Sequence, residues 1–294
     1  MIRSSYRAAL GRGLDDCVLL ADRFADTWDE QYAEAWIVRR TAGAAHVLRV
    51  VRGWVRNIWR SPAGRIWAAQ ADVYANGVHV SAHAAPDAPF AFHALPGSLG
   101  GVWGLDDGEV FAWGRDAGRS VVLHWDGARW TEIGAPGDVV AMDGCAPDLV
   151  YAACRGGVLG RWDGGRWSCT ALPFTLSSLR VLSEDEMYAC AAPEVLVGST
   201  RGWSTLATST LGPNLITKLG AMVVTTLTPA GLARVDGSTL APVAFEGAAL
   251  SIDASDRLLV ARADAIVEWA HGATTATLPL DELRALTKGV PPSW

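Results

Sequence analysis

A chain of 294 residues, half of it apolar and 19% charged, has ample material for a sizeable core, which excludes intrinsic disorder. A formal net charge of −6 argues against a general nucleic-acid binder. The 31 glycines, with 14 tryptophans that outnumber the 5 tyrosines and 6 phenylalanines together, point to many short strands joined by tight turns.

In chain order, YRAALGRGLDDCVLLADRF reads as strand, turn and strand. AWIVRR and HVLRV add two more, giving a first unit over about residues 5–50. A second unit, about 54–96, starts with NIWRSPAGRIWAAQADVYANGVHV and turns at Ser61-Pro62-Ala63-Gly64. A Pro- and Ala-rich insertion near 84–89 lengthens it. The clearest unit, about 99–136, holds GVWGLDDGEVFAWGRDAGRSVVLHWDGARWTEI. Its first strand, Gly101–Leu105, meets the polar turn Asp106-Asp107-Gly108, and a second strand runs from Glu109 to Trp113. A third strand, Val121–Trp125, then meets the hairpin signal Asp126-Gly127, and a fourth follows through Trp130.

The same order returns as VVAMDGCAPDLVYAACRGGVLGRWDGGRWSCT within about 138–173, and as LRVLSEDEMYACAAPEVLVGSTRGWSTL within about 176–210. It fades to GLARVDGSTLAPV within about 215–245 and AIVEWAHGATTATL within about 249–279. The residue before the second turn (Val80, Trp125, Trp162, Gly198, Val235 and Trp269) recurs at steps of 45, 37, 36, 37 and 34. A tail over 280–294 begins with LDELRALTK, a short helix opened by Asp281 and stopped by Gly289 and two prolines.

One four-stranded meander cannot bury both of its faces, so such units must stack. Seven of them predict an all-β fold: a seven-bladed β-propeller of four-stranded antiparallel blades over 1–279, with a short C-terminal helix. A chain that starts on the innermost strand of the first blade and ends on the outer strand of the last closes without strand exchange.

The pattern G-V-W-G…D-D-x-V-[YF]-A…W-D-G-x-x-W resembles a Trp-rich propeller repeat frequent in bacteria, similar to the bacterial-neuraminidase-repeat and photosystem II assembly-factor type. The resemblance is strongest over 99–206 and implies the fold, because propellers host unrelated functions. Trp125-Asp126 is not the dipeptide of WD repeats, since Asp126 opens a hairpin turn and no Gly-His element accompanies it. Asp163 and Gly164 are adjacent, unlike the sialidase Asp-box, so carbohydrate cleavage does not carry over.

Candidate chemistry is sparse. His79 and His83 share one side of an extended stretch but stand about 13 Å apart at strand rise, too far for one zinc ion. A metal set with His93 is therefore weaker than solvent-facing histidines on outer strands, and no metal or other cofactor is expected. His124 and His271 flank register tryptophans and read as structural. The acids Asp16, Asp107, Asp148, Asp185 and Asp256 recur in equivalent first-to-second-strand turns, which favours turn formation over catalysis. No nucleophile elbow or phosphate loop is present. Most tryptophans sit at repeat positions and read as packing; Trp28, Trp54, Trp113 and Trp294 lie off register.

From Arg39 to Arg65 run seven arginines (Arg39, Arg40, Arg49, Arg52, Arg56, Arg60 and Arg65) and no acid, with Trp54 among them. Solvated strand faces would account for them; the sharper reading is a basic strip for a partner. The five cysteines, odd in number and without a CxxC pair, read as free thiols buried in strands in a reducing compartment. Neither a signal-peptide run nor a stretch of about 20 apolar residues appears, so a soluble cytoplasmic protein and no membrane partner are expected. The resulting expectation is a non-catalytic protein-interaction module, monomeric by itself, that binds another protein as a bacterial scaffold, complex subunit or immunity component. The alternatives are a propeller enzyme (lactonase, lyase or glycosidase) with a site at the central channel, and binding of nucleic acid or another anionic partner through the arginine strip.

Overall fold

The computed structural model describes residues 2–25, 33–42, 44–72, 75–83, 88–228, 231–245, 247–255, 257–270 and 272–286. Among them the chain runs through successive antiparallel meanders. The first is β1 (Ile2–Gly13), β2 (Asp16–Ala25), β3 (Ala33–Thr41) and β4 (Ala44–Arg52). The second is β5 (Val55–Arg60), β6 (Ile66–Ala71), β7 (Asn76–Ser81) and β8 (Phe90–Ala94). The third is β9 (Ser98–Asp106), β10 (Glu109–Asp116), β11 (Arg119–Trp125) and β12 (Trp130–Glu132), and the fourth β13 (Val139–Ala146), β14 (Leu149–Cys154), β15 (Val158–Trp162) and β16 (Trp167–Ala171).

Next come β17 (Ser178–Val181), β18 (Met187–Ala191), β19 (Glu194–Ser199) and β20 (Gly202–Thr208), then β21 (Gly212–Leu219), β22 (Met222–Thr228), β23 (Leu232–Asp236) and β24 (Thr239–Val243). A single parallel pair, Thr208 opposite Thr239, joins these two meanders into one eight-stranded sheet. The last meander is β25 (Ser251–Ala254), β26 (Leu258–Ala261), β27 (Ala265–Ala270) and β28 (Ala273–Pro279), followed by α1 (Leu280–Leu286). Asp256, His271 and Trp294 lie outside the described residues, as do Trp28 and positions 84–87 of the Pro- and Ala-rich insertion.

Strand composition follows burial. In several meanders the second strand is buried along its whole length, as in β14 and β26, which are apolar throughout, and in β6, whose one polar residue is Gln70. Outer strands such as β12 and β16 are mostly exposed and polar. A run of apolar residues without alternation marks a strand covered on both faces, which is what stacking of sheets produces.

Two compact units divide the chain, residues 1–99 with 249–294 and residues 100–248. In the first, the β1–β4 sheet is covered on both faces. Tyr6, Leu19 and Trp36 pack with Leu259, Ile266 and Leu283 on one side; Val18, Leu20 and Ile37 pack with Ile58 and Ile66 on the other. The N-terminal sheet is also hooked to the last by hydrogen bonds. The Tyr6 N–H donates to the Ala263 carbonyl (3.0 Å), Gly11 to Asp253 Oδ2 (2.8 Å) and Leu14 to Glu268 Oε2 (2.8 Å). Glu268 is buried, and it also accepts from the Thr275 hydroxyl (2.8 Å) and pairs with Arg257. Burial works against its charge, yet these donors hold its carboxyl below the usual range.

In the second unit, Trp113, Met142 and Trp162 form one core between adjacent sheets, and Tyr151, Leu179 and Met187 form the next. Asp143 of β13 repeats the hooking device, accepting from the Val181 N–H of β17 at 2.7 Å. The Asp-Gly turns are built by local bonds: Asp126 Oδ1 accepts from Ala128 and Arg129 N–H (both 2.9 Å), and Asp163 Oδ1 from Gly165 (3.0 Å) and Arg166 (2.9 Å). Across each turn the tryptophans pair, Trp125 with Trp130 at 5.7 Å and Trp162 with Trp167 at 5.4 Å. The register position at 198 is glycine because the Trp203 ring lies over it; a Cβ there would come within 2.4 Å of that ring. Off-register Trp113 is nevertheless core.

Candidate interaction surface

The arginines between 39 and 65 do not form one continuous strip. Antiparallel strands carry sequence neighbours to opposite ends of a sheet. Arg39 and Arg40 lie near the end of β3, opposite Val18 and Cys17 of β2, and Arg60 closes β5. These three meet at the β1–β2 turn. Arg39 Nη2 donates to Asp16 Oδ1 at 2.8 Å and Arg60 Nη2 reaches the same oxygen at 3.3 Å. Arg40 Nη1 donates to the Leu14 carbonyl (2.5 Å) and to Asp15 Oδ1 (3.4 Å).

The three side chains are 13%, 19% and 13% exposed for Arg39, Arg60 and Arg40. Cys17 lies within their field: burial pushes its thiol up to about 12, while Arg40, Arg39 and Arg60 pull the other way. Three largely buried guanidiniums thus share Asp16 and an exposed Asp15. Within the cluster the Arg40 Nε is buried without a hydrogen-bond partner.

The remaining residues of the stretch lie elsewhere. Arg56 Nε donates to the Ala71 carbonyl at 3.1 Å. Arg65 Nε donates to the Ser81 carbonyl at 2.9 Å and its guanidinium covers the Trp67 ring. Arg49 and Arg52 are exposed on β4. Half-buried Trp54 packs its ring against Phe24 (5.8 Å) and donates its backbone N–H to Asp72 Oδ2 at 2.8 Å. Asp72 also accepts from Gln70 Nε2 (3.0 Å), whose Oε1 meets His79 Nε2 at 2.7 Å.

That network corrects the reading of His79 as solvent-facing. It is buried against Phe92 at 4.7 Å, and burial lowers its basicity to about 4. His83 is exposed. His93 stands opposite Val78 whereas His79 stands opposite Phe92, so the two rings point to opposite faces of the sheet. Among the described residues no group of three or more His, Cys, Asp or Glu side chains could hold a metal ion. His124 is held by Glu109 (2.6 Å) and stacked on Phe111.

The thiols also divide: Cys17, Cys154 and Cys190 are buried, but Cys145 and Cys169 are exposed. Cys145 is the penultimate residue of β13 and Cys169 sits on the outer strand β16, both outside the sheet cores. Among the recurring acids, Asp185 lies in its turn, paired with Arg201 at 2.9 Å, while Asp16 is the first residue of β2 and clasps two arginines.

Sequence reasoning missed three buried acids of the first unit, Glu268 and two on the β1–β4 sheet. Glu34 accepts from Trp36 Nε1 at 3.0 Å and lies 3.8 Å from Arg23. Asp22 is 2% exposed, 3.2 Å from Arg7, and its Oδ1 has no hydrogen-bond partner. Burial raises the Asp22 carboxyl to about 7, against the pull of Arg7 and Arg56. Their positions in apolar strands, ADRF and AEAW, were the available signal.

No family model and no curated protein matches the chain. Solved structures do. The WD40 β-propeller domain of Doa1 matches with a TM-score of 0.63 at 12% identity, over 90% of this chain and 96% of that one. YCF48 bound to D1 peptide matches at 0.62 and 10% identity, over 88% of each chain. The computationally designed protein Ika8 matches at 0.63 and 13% identity, over 94% of this chain and 87% of that one. At such identities the likeness is one of fold, and the fold is that of β-propellers. No helix among the described residues is long and apolar enough to cross a membrane.

Proposed function

We propose that the chain is a seven-bladed propeller, closed without strand exchange, that serves as a non-catalytic interaction module and binds an acidic stretch of a partner protein. Arg39, Arg40 and Arg60 form the contact, while Arg49, Arg52, Trp54, Arg56 and Arg65, placed elsewhere in the first two meanders, are not part of its centre. The observation that carries this reading is the convergence of three largely buried guanidiniums on the turn that holds Asp15 and Asp16. Guanidiniums held side by side by the fold offer an incoming carboxylate preorganised charge-assisted hydrogen bonds. The net charge of −6 favours a local acidic segment over a nucleic acid, whose long polyanion meets repulsion from the rest of the chain.

Among proteins of similar fold, one is a WD40 domain and another is held with a D1 peptide, which supports a protein or peptide partner. Free cysteines suit a cytoplasmic module, and a bacterial scaffold, complex subunit or immunity component, monomeric by itself, fits such a role. Calorimetric titration with a capped octaglutamate peptide tests the site. Alanine at Arg39, Arg40 or Arg60 is expected to weaken binding about tenfold or more, with melting curves checked for each variant. Equal affinity in folded variants, or stronger binding of a single-stranded oligonucleotide at the same residues, contradicts the proposal.

A further inference from the structure

Two β-bulges of the first unit aim arginines at one buried acid. In β1 the register with β2 slips between Tyr6 and Ala8, leaving Arg7 as an extra residue. Tyr6 packs to one side of the sheet and Ala8 to the other, so Arg7 stands outside the alternation. In β5, the first strand of the next meander, the register with β6 slips between Val55 and Asn57 and leaves Arg56 extra. A bulge re-aims the side chain of its extra residue.

Asp22 lies behind both. It shares a face of β2 with Leu20, on the side that packs Ile58 of β5. Arg7 Nε is 3.2 Å from Asp22 Oδ2; the arginine side chain is 46% exposed and the aspartate 2%. Arg56 is exposed and anchors its Nε on the Ala71 carbonyl at 3.1 Å. Among the described residues the Nη groups of both arginines have no hydrogen-bond partner, nor has Asp22 Oδ1. The cross-strand neighbours of Asp22, Ser5 and Ala35, are neutral, and on the opposite face Arg23 lies 3.8 Å from Glu34.

This chemistry selects an anion. Guanidinium forks repel cations and hold the oxygens of a carboxylate or phosphate by charge-assisted hydrogen bonds. Ionised Asp22 competes for the same guanidiniums. Burial raises its carboxyl to about 7, against the pull of Arg7 and Arg56. Below that pH the acid is neutral and no longer offsets them. An anion at the arginines favours the protonated acid, and by reciprocity the charge of Asp22 weakens the anion.

We propose that Arg7 and Arg56 bind one oxyanion, the carboxylate or phosphate group of a ligand, and that its binding is coupled to uptake of a proton from water at Asp22. Asp22 stands six residues along β2 from Asp16, about 20 Å at strand rise. The site is therefore separate from the acidic-partner contact, and either can fail without the other.

The test titrates the full-length protein with sulfate and with formate, stand-ins for phosphate and carboxylate whose charges stay constant from pH 6 to 9, at fixed ionic strength. Amide NMR shifts report the site. Saturable shifts confined to the segments around 6–8, 21–23 and 55–57 are expected at pH 6, with affinity falling about tenfold or more between pH 7 and 9. Asp22→Asn is expected to keep its pH 6 affinity up to pH 9. Arg7→Ala and Arg56→Ala are expected to weaken binding about tenfold at pH 6, with unchanged melting curves. Either order of sulfate and formate supports the site, and the tighter one names the natural group. Should Asp22→Asn unfold, proton uptake by wild type, from calorimetry in two buffers of different ionisation enthalpy, takes its place. Absence of saturable binding by both anions overturns the proposal. So do shifts located elsewhere, wild-type affinity in folded Arg7→Ala or Arg56→Ala, or an affinity that does not change between pH 7 and 9.

Discussion

Asp22 offers a quantitative test of how the first unit is packed. Its carboxyl is 2% exposed, one oxygen has no partner, and burial raises it from 3.8 to about 7 despite Arg7 and Arg56. The folded chain therefore holds a proton there that the unfolded chain releases at about pH 4. Between those values the native state binds more protons, so its stability falls as pH rises. Above about pH 7 the penalty is complete; a shift of about three units corresponds to a ceiling of about 4 kcal/mol. Asp22→Asn keeps the shape and removes the titration. Urea unfolding at a series of pH values from 4 to 8 should show the variant equal to wild type at the acid end and more stable by about 2–4 kcal/mol at pH 8. A variant less stable than wild type at pH 8, or a difference that does not change with pH, would refute the burial argument.

Three further outcomes follow from the packing. Glu268→Ala removes the acceptor for the buried Leu14 N–H and for Thr275, and should cost about 3 kcal/mol in urea unfolding; a loss below about 0.5 kcal/mol would mean that the hook between the first and last sheets contributes little. Gly198→Ala places a methyl group 2.4 Å from the Trp203 ring and should destabilise by about 1–3 kcal/mol, whereas an unchanged midpoint would show that the ring moves freely. Under native conditions a thiol reagent should modify Cys145 and Cys169 rapidly, leaving Cys17, Cys154 and Cys190 until the chain unfolds; early labelling of Cys17 would contradict its burial.

What the sequence made legible was local. Asp126-Gly127 and Asp163-Gly164 form their turns through bonds within three residues of the aspartate, so composition alone identifies them. What sits opposite a side chain was not legible. His79 lies in a stretch that alternates, yet its environment is set by Gln70 and Phe92 on neighbouring strands. Asp16 resembled the other turn acids, and only the approach of Arg39 from β3 and Arg60 from a neighbouring sheet gives it a clasping role. The arginine stretch looked continuous because sequence proximity conceals strand reversal: Arg39 and Arg52 are close in the chain but at opposite ends of the β3–β4 pair.

The central claim is that the guanidiniums gathered at Asp16 receive an acidic partner. The most direct measurement is affinity capture from the native host, comparing wild type with a folded Arg39→Ala, Arg40→Ala, Arg60→Ala variant, at low and raised salt. The account predicts one stoichiometric protein, retained by wild type at low salt, released as salt rises, and absent from the variant. The same protein retained equally by the variant would contradict it, as would the recovery of no stoichiometric protein at any salt concentration.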